Sequence, residues 1–240
     1  MGAESGDRHA FLATARRRLA GDIFTNPVHV PPPTPAPGTP VPRPVYRNID
    51  PDDLVATFAD AVAAADGVCQ VVEGQVPDAL LDVLVSELGG RPVVVTPEPL
   101  ARDVGARLAD RGVAVEPATI ERAAVAGLGV TGAVAAIAAT GSIVLDSTVA
   151  GGRSASLLPT VHLCVASVNS LVATPADVLR RLGSAGDALP PSLVLVTGPS
   201  RTGDIEQLLT LGAHGPTALH VVLVTDGAGR ASTSGANLRA

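Results

Sequence analysis

The sequence predicts an α/β fold built on an open, mainly parallel sheet with helices on both faces. Three observations carry this. Helical periods alternate with short runs that are apolar at every position, as expected of strands covered on both sides. Of the 240 residues, 46% are hydrophobic but only 2% are aromatic, so the core must be packed from Ala, Val, Leu and Ile. The 25 glycines suit the close backbone approaches that such small side chains require.

The first elements follow from local chemistry. His9 to Leu19 places Phe11, Leu12, Ala15 and Leu19 on one face of a short helix that Gly21 ends. Nine prolines between Pro27 and Pro44 fix φ and remove hydrogen-bond donors, which predicts an extended arm. Residues 1–47 are therefore assigned to an N-terminal helix and proline-rich arm, residues 48–226 to the folded domain, and residues 227–240, rich in Gly, Ser and Thr, to a frayed tail.

Asp50, Pro51, Asp52 and Asp53 form a helix start, with the helix expected to run to about Ala65 and to lead into a strand at Cys69 to Val72. A second helix over Pro77 to Leu88 precedes the strand Pro92 to Val95. A third over Pro99 to Asp110 precedes the strand Val113 to Val115. Around Thr140-Gly141 the stretch AAIAATGSIVL reads as a hairpin, although Ala133 to Ala138 equally fits a helical turn. Further strands are expected at Val161 to Ala166, Leu193 to Val196 and Leu219 to Val224. Pro175 to Leu182 is a helix capped by Thr174, with Asp177 three residues on as a variant capping box.

Charge and composition exclude several functions. A net charge of −6 offers no cationic surface for phosphate neutralisation, so nucleic acid is not an expected partner. Two stretches free of Asp, Glu, Lys and Arg, Ala123 to Leu145 and Ser154 to Ala176, are long enough to span a membrane. However, glycines dilute the first, and Pro159, His162, Asn169 and Pro175 interrupt the second, so both read as interior strands and turns. The first twenty residues lack an apolar core between their charges, which argues against a signal peptide and for a cytoplasmic protein. Cys69 and Cys164, far apart and each in an apolar run, lack the spacing of a metal or cluster site and are expected to be buried thiols. No cofactor and no metal site are expected.

Thr197 to Gln207, TGPSRTGDIEQ, directly follows an expected strand. There Thr197, Gly198, Ser200, Arg201 and Thr202 would offer backbone N–H groups, hydroxyls and a guanidinium as an anion cradle, with Asp204 and Glu206 as acid, base or partner to Arg201. The structural alternative is that Ser200 or Thr202 caps a short helix and Arg201 pairs with Asp204. The turns holding Thr131, Gly132, Thr140, Gly141 and Ser142 match neither a Walker loop nor a dinucleotide fingerprint, so they serve tight backbone geometry or a ligand. Arg153 follows two glycines and can face the same pocket. His162, within a strand, reads as a core histidine, whereas His214, between glycines, is the acid–base candidate.

Taken together and in this order, GVTGAVAAIAATGSIVL, GRSASLLPTVH, TGPSRTGDIEQLLTLGAHGP and LHVVLV resemble the lactate-utilization protein C family and its LUD domain, from about Gly127 to Val224. The resemblance implies a Rossmann-like fold similar to the ribose-phosphate isomerase, glucosamine-phosphate deaminase and CoA-transferase group. It also implies a cofactor-free subunit that binds a small anionic ligand and assembles with iron–sulfur subunits of a lactate-oxidising complex, with a homo-oligomer possible. The alternative is a stand-alone enzyme or sensor for a phosphorylated sugar, a CoA ester or a folate. The family commonly carries an acidic residue in the AIAxTG turn, where this chain has Ala139.

Overall fold

Asp50 opens the fold described by the computed structural model, which covers residues 49–148, 153–184, 190, 192–202, 210–212 and 214–225. Its carboxylate accepts the Asp52 N–H at 3.0 Å and caps a 3-10 turn, Pro51–Asp53, which continues into helix α1, Leu54–Ala64. Strand β1 (Val68–Glu73), helix α2 (Asp78–Glu87), strand β2 (Val93–Val95) and helix α3 (Pro99–Ala109) follow within a residue or two of expectation. Strand β3 occupies Val115–Pro117, two residues later than expected. Val113 still belongs to the α3 exit, where Gly112 takes φ 78° and the Val113 N–H donates back to Leu108 O.

Then come α4 (Ile120–Ala123), β4 (Leu128–Thr131), β5 (Ala135–Ile137), β6 (Ser142–Asp146), α5 (Ser154–Leu157) and β7 (Val161–Ser167). They are followed by β8 (Leu171–Val172), α6 (Pro175–Ser184), β9 (Leu193–Val196), β10 (Arg201–Thr202), β11 (Thr210–Leu211) and β12 (Ala218–Thr225). The α6 cap is as expected. The Thr174 N–H and hydroxyl both donate to the Asp177 carboxylate, at 2.8 and 2.7 Å.

Six strands form a parallel sheet in the order β1-β12-β7-β4-β2-β3. Alternation along β7 and β12 sorts the layers. Leu163, Val165, Val222 and Val224 face α2 and α3, whereas Cys164, Ala166, Leu219, Val221 and Leu223 face α1. Towards β2, α4 and α5 cover that second face through Ala123, Ala126 and Ala155 over Val94. Gly129 lets α5 approach so closely that an added Cβ would lie 1.9 Å from Ala155 O.

The remaining apolar strands do not extend this sheet. β8, β5, β6 and β9 form a separate four-stranded sheet in that order, with β5 and β6 as an antiparallel hairpin and β9 antiparallel to β6. One side, through Ala136, Ala138, Ile143 and Leu145, packs on the parallel sheet. The other, through Ala135, Ile137 and Val144, meets Val178 of α6. The hairpin reading of AAIAATGSIVL therefore holds over the helical one, and both uncharged stretches are largely interior strands. No helix among the described residues is long and apolar enough to cross a membrane. The expected helix at His9 to Leu19, the proline-rich arm and the C-terminal tail lie outside the described residues.

Candidate functional site

The glycine- and hydroxyl-bearing turns converge on the last turn of α1. Between β5 and β6, Gly141 has φ 63°, and an added Cβ would lie 2.5 Å from Ala61 C and Val62 N. After β9, Gly198 has φ 72°, and its Cβ would lie 2.1 Å from Ala65 O. Because β9 pairs with β6 in the register Ile143↔Val196, Ser142 comes to face Thr197. The result is a row of three hydroxyls: Thr140 Oγ1 to Ser142 Oγ at 2.7 Å, and Ser142 Oγ to Thr197 Oγ1 at 2.6 Å. Ser142 is buried and Thr197 exposed, so the row leads from the interior to solvent.

Arg201 reaches the same Ala65 carbonyl that Gly198 packs against. Its guanidinium donates to the Ala65 carbonyl and lies 3.0 Å from Asp66 Oδ2, so it caps the negative end of α1. Among the described residues its carboxylate partner is Asp66, brought from the far side of the sequence. The Ser200 N–H donates to Pro216 O and Ser200 O accepts from the Gly212 N–H, both at 2.9 Å. Ser200 thereby joins the stretch that carries His214, whose side chain is exposed. Thr202 pairs with Thr210 in the short β10–β11 ladder. Asp204 and Glu206 lie outside the described residues.

The structure corrects the reason for expecting a ligand here. Open α/β sheets bind ligands beyond the carboxyl ends of their strands. β9 belongs to the antiparallel sheet, and the turn after it contacts Ala65, just ahead of β1, and Pro216, just ahead of β12. It therefore lies at the amino end of the parallel sheet.

Thr131 and Gly132 sit at the opposite, carboxyl end. Thr131 Oγ1 lies 2.9 Å from Nε2 of His162, which is 1% exposed and whose Nδ1 has no partner among the described residues. Burial lowers the His162 pKa to about 4, so the imidazole is neutral near pH 7, in keeping with a core histidine. Cys164 Sγ lies 3.7 Å from Gly132 O. Burial pushes its thiol up to about 12 and that of Cys69 up to about 11, which leaves neither as a thiolate.

Glu98, which the sequence reading did not single out, packs on Gly132, where an added Cβ would lie 2.7 Å from its Cβ. Its Oε2 is buried without a partner among the described residues. The chain leaves β2 for α3 on one face and β4 for β5 on the other, so this crevice is the topological switch point of the sheet. The available signal was an acid three residues after an all-valine strand and directly before a helix. Arg153, at the start of α5, is exposed, and its carbonyl accepts from the Ser156 N–H and hydroxyl. Among the described residues, Thr140, Ser142, Thr197 and Arg201 thus lie at one end of the sheet and Thr131 and Gly132 at the other.

The sequence profile of the LUD domain matches residues 50–224. Lactate utilization protein C of Bacillus subtilis is 29% identical over 208 residues, covering 77% of this chain and 85% of that protein. Lactate utilization protein C of Bacillus licheniformis is 29% identical over 201 residues, covering 76% and 82%. A crystal structure of a DUF162 family protein from Deinococcus radiodurans superposes with a TM-score of 0.52 at 23% identity, over 73% of this chain and 99% of that one, and it supports the fold. With the profile spanning most of the sequence and the motif residues placed in the fold, the chain belongs to the LUD domain family.

Proposed function

We propose that this chain serves lactate utilization as a subunit that binds a small carboxylate and works beside iron–sulfur partners, which carry the electrons. The names of its relatives support the process. The division of labour rests on cysteine content, because a cluster takes about four thiolates and this chain has two separated thiols, both held protonated.

The observation that carries the binding role is the hydroxyl row of Thr140, Ser142 and Thr197, which ends in solvent at a turn packed on Ala65, the residue whose carbonyl Arg201 also holds. Arg201 and Asp66 form a solvent-accessible ion pair, with side chains 32% and 66% exposed. Such pairs contribute at most about 1 kcal/mol, so a ligand carboxylate can displace Asp66 at small cost and gain the hydroxyls as further donors. His214, Asp204 and Glu206 are the groups we assign to acid–base work on the bound ligand.

Calorimetric titration of the full chain with lactate and pyruvate tests this. Arg201→Ala is expected to weaken binding by about 1.5–3 kcal/mol, the contribution of a hydrogen bond to a charged group. Unchanged affinity would assign Arg201 to capping α1 alone. Lactate oxidation is expected only after iron–sulfur partners are added, and turnover by the purified chain unaided would favour the stand-alone enzyme.

A further inference from the structure

A groove of about 450 Å³ runs along α3 beside the edge strand β3. It exists because the helix turns only small residues, Gly105, Ala106 and Ala109, towards Val115, Pro117 and Ala118. Gly105 brings the helix so near the sheet that an added Cβ would lie 3.1 Å from Val95 Cγ2, while the two exposed alanines leave the outer part of the groove unfilled. The volume is within the range of small-molecule sites, roughly 300–1,000 Å³. Its upper end opens past Thr96 and Pro97, at the carboxyl end of β2, where open α/β sheets bind ligands.

The charges at this groove are unbalanced. Glu116 is held by Arg122 at 2.6 Å, whereas the Arg102 guanidinium is exposed and makes no hydrogen bond or ion pair to any described residue. Arg102 also lies in the first turn of α3, whose positive dipole end adds to its field. A cation without a partner among the described residues, at the mouth of an apolar slot, complements a molecule with an anionic head and an apolar body. From Arg102 to Ala109 the helix rises about 10 Å, which sets the length available to that body.

We propose that this groove binds a medium-chain monocarboxylate, its carboxylate on Arg102 and its chain along Gly105, Ala106 and Ala109. This goes beyond the lactate reading. Lactate offers one methyl group to an apolar slot of this length, and the hydroxyl row lies at the other end of the sheet.

Titrations of the full chain with butanoate, hexanoate and octanoate test the proposal. Affinity should rise about fourfold per added methylene, the value of burying a CH₂ group. Arg102→Ala should weaken every member tenfold or more. Ala106→Leu, an exposed change that fills the slot one turn from Arg102 and keeps its charge, should abolish the dependence on chain length. Arg201→Ala should leave octanoate binding unchanged, which separates this site from the proposed lactate site, and melting curves confirm that each variant is folded. No octanoate binding, or binding that neither Arg102→Ala nor Ala106→Leu alters, would overturn the proposal.

Discussion

Gly198→Ala is expected to destabilise the protein by about 2–5 kcal/mol, read as a lower urea midpoint with an unchanged slope. Two contributions add. An L-residue at φ 72° costs about 1–2 kcal/mol, and the new Cβ, 2.1 Å from the Ala65 carbonyl oxygen, forces one backbone segment off another at roughly 1–3 kcal/mol. Gly74→Ala is the control. Gly74 has φ 76°, but an added Cβ meets nothing within 4 Å, so only the conformational part should appear. The site should respond as well. Moving the turn away from α1 separates Thr197 from Ser142 and Arg201 from Asp66, so whatever Gly198→Ala leaves folded should bind lactate less tightly. Equal effects at the two glycines would mean that the close approach to Ala65 contributes nothing.

The largest pH effect is expected at His162. The folded protein holds this imidazole neutral, with its pKa lowered by burial from 6.5 to about 4, whereas in the unfolded chain it takes up a proton near 6.5. The unfolded state therefore binds more protons between these values. Stability is fully present above pH 6.5 and falls as the pH drops towards 4, by about 3 kcal/mol in all. Asp78, held below the usual carboxylate range by Arg107 and Arg111, and Asp177, held low by Thr174, lose their contributions only below their ordinary values near 4. Unfolding free energies measured in urea at pH 7 and pH 4.5 should thus diverge in the native chain and lie much closer in His162→Gln. An identical pH dependence in both would place the slope elsewhere.

Much of the first half was legible because each element carried its own local signal. Asp50 caps the entrance, Val93–Val95 is apolar throughout, and Thr174 with Asp177 closes the α6 cap. The separate sheet was not legible. β6 and β9 are as apolar as the parallel strands, because their sheet lies between the parallel sheet and α6, and a pattern apolar on both faces does not say which sheet a strand joins. The same ambiguity misplaced the anion cradle. The hydroxyls of Thr140, Ser142 and Thr197 were read from the chain and do come together. Their position at the amino end of the strands, and the pairing of Arg201 with Asp66, depend on contacts between distant segments that no local pattern encodes. Glu98 was missed for a related reason, since only the packing of α3 against Gly132 buries its carboxylate.

The strand order also governs when the molecule can be completed during synthesis. Among the described strands β1 has one neighbour, β12, which is the last of them in sequence and the link between β1 and β7. A ribosome must therefore carry synthesis past Thr225 before β1 finds this partner. Until then the nascent chain carries Val71 and Val72 on an unpaired strand and Cys164 and Val165 along an open sheet edge. These are apolar segments with free backbone groups that invite association with other chains. Closure between such distant segments makes folding slow, so this protein's exposure to misassembly is set by the time needed to translate β12.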